Sequence, residues 1–545
     1  MASLSGSPHE VAASGVSEVA AAPEPTAAAV ADRMRRLAQA ALVVLTGFLA
    51  SRVLGVVRSM VIAAHFGTGT NASAYVAAIA VPDTVFQVLV GGAVGSAFIP
   101  VFQRYIARDQ EEDAWRLTSS VINLGVLVAG GTALVLAIFA RQVMDILAPG
   151  RDDAFRDLAA SLSRILLITP AIFAASTFCA SVLNSYHRFA VAALAPLMYN
   201  LAIIAGAFFL SGPLGIHGLA IGAAIGACLH LLIQLPALIR LGMRWRPVVD
   251  LGHAGVREVA RLFAPRVLGL GVVQLNKVLS GVLFASFLGA SSIASLDYAW
   301  LMLMTPLALA MAIGTAVFPT LSQASALKRR GQVEQVFSVS MRMNLFLTIP
   351  ACIGLMVLGE PIIRLFFERN QFTPESTALT AFALVFFAIG LPGHATVEIV
   401  DRVFYALHDT RSPVFVAVGA IGLNVVLSLI LMRTPLNLGG LALANSIAAL
   451  TEATVLIKLL SIRLPGADVR ALGMASLRML AAALVMGLPV AWLSAQLDPL
   501  LRPHGTPGQA LQVGLSVAFG ALVYGVASLA FRSDELSALR KLVRR

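Results

Sequence analysis

Gly95-Ser-Ala-Phe-Ile-Pro100 is written a second time, slightly altered, as Gly314-Thr-Ala-Val-Phe-Pro319. Further out, Pro213-Leu-Gly-Ile-His-Gly-Leu-Ala220 returns as Pro435-Leu-Asn-Leu-Gly-Gly-Leu-Ala442, and between these echoes Asn200 is matched by Asn424. Three echoes in one order, about 220 residues apart, mark a duplicated module. In a chain this apolar, two duplicated halves enclose a pathway at their interface. The repeat therefore points to a transporter before any chemistry is weighed.

The apolar content sets the medium. The 545 residues are 58% hydrophobic and only 12% charged, with a mean hydropathy of +0.85. Runs of about 20 apolar residues separated by short polar turns predict bilayer-spanning helices. Fourteen are predicted, at about 38–62, 74–98, 117–140, 159–183, 190–211, 216–239, 265–288, 295–319, 341–365, 377–401, 412–433, 438–461, 472–495 and 509–531. Helices 1–6 form the first copy, 7–12 the second, and 13–14 an appendix. Six helices per copy is an even number, so both copies run the same way through the membrane. The predicted fold is an all-α integral membrane protein with two parallel six-helix repeats around a central cavity, plus two C-terminal helices. Residues 1–37 read as a disordered cytoplasmic tail, rich in Ala, Ser, Pro and Glu and without the pattern of a cleavable signal peptide. The organisation that follows is a first lobe at 38–240, a cytoplasmic interfacial connector at 241–264, a second lobe at 265–463, and two extra helices with a basic tail at 464–545.

A net charge of +11 invites a nucleic-acid reading, and the helix map answers it. With the N-terminus inside, about 28 of the Lys and Arg residues fall in cytoplasmic segments, about eight outside and about three within helices, which is the positive-inside pattern. The basic charge belongs to anionic membrane lipids rather than to nucleic acid. The turn from Arg240 to Arg266 mixes cations with Val256, Val259 and Phe263 and reads as an interfacial amphipathic stretch. The three cysteines, Cys179, Cys228 and Cys352, lie in predicted spans with no pairing or metal-ligand spacing. No catalytic constellation is present, so the reading is of a non-enzyme without cofactor or metal.

Polar residues inside the spans carry the functional signal. A Lys or Arg at the bilayer centre costs roughly 2.5–3.5 kcal/mol, so Arg52 and Arg58 in helix 1 and Lys277 in helix 7 must face water, a partner or cargo. Arg52 and Arg58 point about 120° apart on their helix, so they flank a broad cavity rather than share a stripe. Lys277 occupies the corresponding zone of the repeat. A cation from each lobe suits an anionic group at the interface. Asp83, with Gln87 and Gly91 at one-turn intervals, forms a polar stripe on helix 2. Asp83 either neutralises an arginine in a structural pair or alternates with cargo. Gln274 and Asn276 flank Lys277 and complete the candidate substrate-binding set. Glu398 is a candidate ion site, next to Asp401 and Arg402. His217, His230 and His394 read as packed or interfacial. Pro82, Pro100, Pro306 and Pro319 are expected to bend or break helices 2 and 8.

Several strings together resemble a known family. Ser51-Arg-Val-Leu-Gly-Val-Val-Arg-Ser-Met60 followed by His65-Phe-Gly-Thr-Gly69 is similar to the first helix of the MurJ (MviN) family. Gly92-Ala-Val-Gly-Ser-Ala-Phe-Ile-Pro-Val-Phe102, Leu183-Asn-Ser-Tyr-His-Arg-Phe189, Phe284-Ala-Ser-Phe-Leu288 and Phe404-Tyr-Ala-Leu-His-Asp-Thr-Arg-Ser-Pro413 resemble later segments of it, in order, over about residues 40 to 465. The resemblance implies the multidrug/oligosaccharidyl-lipid/polysaccharide exporter fold. It also implies the family activity, moving the undecaprenyl-pyrophosphate-linked peptidoglycan precursor lipid II from inner to outer leaflet of the bacterial cell membrane. In the family, cavity arginines bind the head group, and Arg52 and Arg58 match the two of helix 1. The last two helices are taken to form a groove for the lipid tail, and cell-wall synthesis proteins are implied partners.

The chain departs from that pattern in three places. The family's basic residue of helix 2 is replaced by Phe86 or Gln87, its acid–arginine pair after the Tyr-Ala of helix 8 by Trp300-Leu301, and an acid near the start of helix 2 by Ser73. Lys277 is placed to supply the missing charge. Alternatives at this point are a flippase for another polyprenyl-linked oligosaccharide, a drug exporter of the same fold, and a non-transporting scaffold descended from a flippase. A drug exporter needs acidic cavity residues, and the cations outnumber Asp83.

Overall fold

A computed structural model describes residues 27–91 and 93–531, and among them the only regular structure is helix. The first half comprises α1 (Ala27–Phe66), α2 (Thr70–Leu89), α3 (Ala93–Ile106), α4 (Glu111–Ile138), the short α5 (Ala140–Leu147), α6 (Asp153–Leu166), α7 (Thr169–Ser185), α8 (Phe189–Ala205), α9 (Ser211–Leu214), α10 (Ile216–Leu232) and α11 (Leu235–Arg240). The second comprises α12 (Ala254–Val278), α13 (Ser292–Ala326), α14 (Arg330–Phe367), α15 (Pro374–Ile389), α16 (Leu391–Ala406), α17 (Arg411–Leu431) and α18 (Asn437–Arg463). Two more, α19 (Val469–Leu501) and α20 (Gly505–Ala530), pack along each other and against α14. Among the described residues, eleven helical stretches are long and apolar enough to cross a membrane, or twelve if the pair α15–α16, bent by 46°, is one span. One of the eleven, Val469–Ala530, contains both α19 and α20.

The duplication is written in the turns as well as in the sequence. Left-handed backbone recurs in four matched places, each about 220 residues apart: Gly67 and Gly289, Asp109 and Lys328, His187 and His408, Gly215 and Asn437. Each lies where one long helix must stop and an antiparallel neighbour begin, the position a left-handed cap suits. Packing repeats too, since α8 runs against α10 as α17 does against α18, and α4 against α7 as α14 does against α16. The echo at Pro213 and Pro435 has a steric cause. A Cβ at Gly218 would lie 2.5 Å from the Leu210 carbonyl oxygen, and one at Gly440 would lie 2.5 Å from that of Leu431. Only glycine admits both close approaches.

One element breaks the symmetry. α1 lies along α8 of its own half, whereas α12 leaves its half and packs on α2 and α3. α12 therefore crosses the interface and brings its polar residues to the first half.

Several expectations are corrected. Helix 1 begins at Ala27, so residues 27–37 are helical, because Ala27–Ala31 continues the span with good helix formers and no Gly or Pro; residues 1–26 lie outside the described residues. The second helix breaks at Val90–Gly91, not at Pro82 or Pro100, which lie inside α2 and α3, and α13 runs unbroken through Pro306 and Pro319. A double glycine removes the side chains that pack a helix turn, whereas a proline loses one hydrogen bond that a long helix can do without. Within the stretch read as interfacial and amphipathic, two of the apolar residues face the protein core. Helix resumes only at Ala254, capped by His253, and Val256 and Val259 are buried within the first half's core.

The two ends of the bundle differ. At the end bearing the α1–α2 turn, here the gate end, the halves are joined directly. The Thr68 and Ser376 hydroxyls are 2.7 Å apart, the Gln371 amide donates to the Ala64 carbonyl at 3.1 Å, and the Ser73 hydroxyl donates to the Ala290 carbonyl at 2.6 Å. Tyr298 Oη points at the Gly67 carbonyl, 3.5 Å away, and its ring packs on Phe367 and Phe372. Toward the opposite end, α1 leaves Phe48, Leu49 and Val53 exposed, and α13 leaves Leu309, Met311 and Phe318 exposed. There the halves touch along the α3–α12 seam, through an Arg104–Glu258 ion pair and Tyr105 against His253.

Candidate functional site

Four charged side chains meet in the cleft below the gate, one cation and one acid from each half. Arg58 on α1 and Asp83 on α2 come from the first, Lys277 on α12 and Asp297 on α13 from the second. Asp83 lies within electrostatic reach of Lys277, then Arg58, then Asp297; Asp297 lies within reach of Lys277, then Arg58. Asp297 is open to solvent although Ile293–Leu296 before it and Tyr298 and Ala299 after it are buried. A single open side chain on an otherwise packed stretch of helix lines a cleft. Tyr75 and Tyr298 are buried beside the charges, and Tyr199 faces Asp83 and Arg58.

The charges do not collapse onto one another. Among the described residues, neither carboxylate closes a direct ion pair with Arg58 or Lys277, and Arg58 Nε is shut off from solvent without a hydrogen-bond partner. Guanidinium and ammonium groups held apart from carboxylates retain donors for an incoming oxyanion. The purely structural pairing of Asp83 with an arginine is not what this geometry shows.

The remaining candidates are placed as follows. Arg52 stands apart: its side chain is exposed, its guanidinium lies 5.6 Å from the Phe48 ring centre, and it is not among the charges that Asp83 or Asp297 face. Six residues along a helix displace it by about 9 Å from Arg58 as well as turning it. Gln87 is exposed one turn beyond Asp83, and Gln274 is half-buried one turn before Lys277. Asn276 is committed elsewhere, its side-chain oxygen accepting from Asn424 Nδ2 at 2.8 Å, and Asn424 also reaches Ser280. It braces α12 on α17. Glu398 pairs with Arg402 one turn along, and Arg402 lies over Gly314, where a Cβ would come within 2.9 Å of the guanidinium. Arg402 thus pairs with Glu398 and not with its neighbour Asp401. His217, His230 and His394 each hydrogen-bond one polar side chain, respectively Ser161, Ser176 and Asn445, and serve packing.

Asp297 is the member that sequence reasoning missed. Its signal was legible: an acid inside an apolar run is a functional candidate by default.

Comparison with known proteins gives this geometry a family. The sequence profile described as "Lipid II flippase MurJ" matches residues 62–503. The chain belongs to the MurJ lipid II flippase family. Among its relatives, the "Probable lipid II flippase MurJ" of Vibrio cholerae is 31% identical over 436 residues, 78% of this chain and 83% of that protein. The Rhizobium meliloti protein of the same description is 30% identical over 91% of this chain and 94% of its own length. The "Lipid II flippase MurJ" of Burkholderia cenocepacia is 27% identical over 89% and 96%. Among solved structures, "Lipid II flippase MurJ, inward closed conformation" superposes with a TM-score of 0.74 at 26% identity, covering 90% of this chain and 99% of that one. A multidrug resistance MATE family transporter matches at 0.66 with 14% identity, which shows the shared fold alone.

Proposed function

We propose that the chain carries lipid II from the inner to the outer leaflet of the bacterial cell membrane by alternating access. The observation that supports it most is the pair Arg58 and Lys277: one cation from each half, reaching the same cleft, with no direct ion pair. The diphosphate that links the sugars to the lipid offers oxygens to both, and charge-assisted hydrogen bonds of that kind are about twice as strong as neutral ones. In this reading Asp83 and Gln87 line the head-group site, Gln274 borders it, and Arg52 meets cargo earlier, on the open side. The polyprenyl tail stays in the bilayer.

Orientation follows from charge. Arg104, Arg108, Arg188, Arg244, Arg246, Lys328, Arg329 and Arg411 cluster at or beyond the helix ends away from the gate, so that end is cytoplasmic and both termini lie inside. The exposed Trp245 beside Arg244 and Arg246 suits contact with anionic lipid at that surface. The structure is then closed to the outside.

The test is transfer of fluorescent lipid II in proteoliposomes, alongside growth rescue of cells depleted of their own flippase. Wild-type protein that inserts and neither moves the lipid nor restores growth would defeat this reading. Movement of a different polyprenyl-linked saccharide instead would support the sister-transporter reading.

A further inference from the structure

The echo of Asn200 in Asn424 conceals a difference of use. Asn200 on α8 is buried and its amide donates to the Pro196 carbonyl of its own helix at 3.0 Å. Asn424 on α17 is 1% exposed and gives its amide protons to the neighbouring helix, to Asn276 Oδ1 and to Ser280 Oγ, each at 2.8 Å. Its own oxygen accepts from Ser428 Oγ at 3.4 Å. The partners explain the difference. Counting back from the matched turns Gly67 and Gly289, Asn276 stands where the first half has Leu54, which offers Asn200 nothing to bond. The bonded pair also straddles a change of helix type. Asn276 lies in α12, which ends at Val278, and Ser280 in the π-helix Leu279–Phe284 that continues it. A π-turn holds about one residue more than an α-turn. If it relaxed, one side of the junction would turn against the other by about 100°, one residue's share of the helix. Lys277 lies beside that junction and is exposed, whereas Val278 is buried. Bonds to residues on both sides oppose the slip, and within a bilayer an amide pulled from its partners finds no water to replace them.

We propose that Asn424 is a positioning residue for cargo binding: by holding Asn276 and Ser280 it fixes the rotation of α12 at the α-to-π junction and keeps the Lys277 ammonium aimed into the cleft. That the group awaited there is the lipid II diphosphate rests on the proposed function. Asn424 itself never touches cargo. A cation aimed in advance binds an oxyanion without first being ordered, so lost aim lowers affinity more than it slows a loaded carrier. The same grip ties Lys277 to its own half, although the helix before it packs on α2 and α3 of the other. Arg58 needs no such device, because α1 runs as one α-helix from Ala27 to Phe66.

The experiment reads the direction of the side chains. In full-length protein with the exposed Cys228 replaced by alanine, Lys277→Cys and Val278→Cys are each treated with a water-soluble methanethiosulfonate in lipid nanodiscs. With Asn424 in place, position 277 should react and position 278 should lag well behind. Asn424→Ala should slow 277 and quicken 278, lowering the ratio of the two rates at least about threefold, the worth of one average interhelical hydrogen bond in a membrane protein. General loosening of the fold would instead quicken both. Adding Asn276→Ala to Asn424→Ala should change nothing further, since the bond between them is already gone. Asn200→Ala should alter neither rate. With Lys277 intact, Asn424→Ala should need about threefold more lipid II for half-maximal transfer in proteoliposomes, with the maximal rate nearly kept. The proposal is overturned if Asn424→Ala does not slow position 277, if Asn200→Ala does the same, or if the half-maximal concentration stays where it was. Should Asn424→Ala fail to insert, Ser280→Ala, which removes one of the two bonds, decides by the same rates. The thiol rates need no cargo. The expected change in a protein that moves no lipid II defeats the proposed function and keeps the role of Asn424, and transfer without that change does the reverse.

Discussion

At the scale of single residues, the position of a charge matters more than its presence. Arg52 and Arg58 are both intramembrane arginines of one helix, yet only Arg58 reaches the charges of the other half. Arg58→Ala removes charged hydrogen bonds worth about 1.5–3 kcal/mol each, so lipid II transfer in proteoliposomes should fall at least about tenfold. Arg52→Ala should reduce it less, raising the cargo concentration needed rather than abolishing transfer. Equal losses in the two variants would mean that Arg52 also contacts cargo in another state of the carrier. Lys277→Ala should resemble Arg58→Ala, while the neutral change Leu283→Ala should not. Asn276 illustrates the opposite lesson, since a polar side chain beside Lys277 is spent on Asn424 and holds α12 in place.

At the scale of elements, the gate turn and the C-terminal pair each depend on one residue. Gly67 has φ +60°, and a Cβ there would come within 2.4 Å of the Gln371 carbonyl oxygen. Gly67→Ala therefore cannot keep the closed contact, and the distance between spin labels placed at Thr70→Cys and Glu375→Cys, one on each half at the gate, should lengthen relative to the same labels on the wild-type background. An unchanged distance would show that the turn yields instead. On α14, buried Arg364 bonds Asp498 of α19 at 2.7 Å and pairs with Glu360 and Glu368 of its own helix. Arg364→Ala would leave Glu360 and Glu368 without their cation and Asp498 with only Arg502, 3.8 Å away, and should cost about 2–3 kcal/mol, seen as earlier thermal unfolding in detergent. Arg364→Lys should recover little of it, since an ammonium cannot span several carboxylates as a guanidinium fork does. These elements were partly legible beforehand. The repeated glycines and the turns were visible as echoes, whereas the Arg364 link joins residues far apart in sequence and has no periodic signature.

At the scale of the whole molecule, the basic end away from the gate supports the proposed orientation, with that end cytoplasmic. A cysteine at Thr70 should react with an impermeant reagent only from outside the cell, and one at Lys328 only after the membrane is opened; both positions are exposed. Labelling with the reverse sidedness would invert the carrier and turn the gate described here into the cytoplasmic one. The crossing of α12 onto α2 and α3 also brings the charges of one half near those of the other.

Composition, span length and internal repetition by themselves determined that this chain is a duplicated all-helical membrane protein with a few charges inside its helices. They could do so because a bilayer leaves the backbone one economical choice, the helix, and taxes every charge within it. Which charges meet was decided only by the tertiary structure. Helix periodicity places Arg52 and Arg58 on one rod and cannot say which of them the other half will face. The crossing of α12 onto α2 and α3 breaks the symmetry that the repeat implies. Asp297 enters the site because the packing of α13 buries its neighbours and leaves that one side chain facing the cleft.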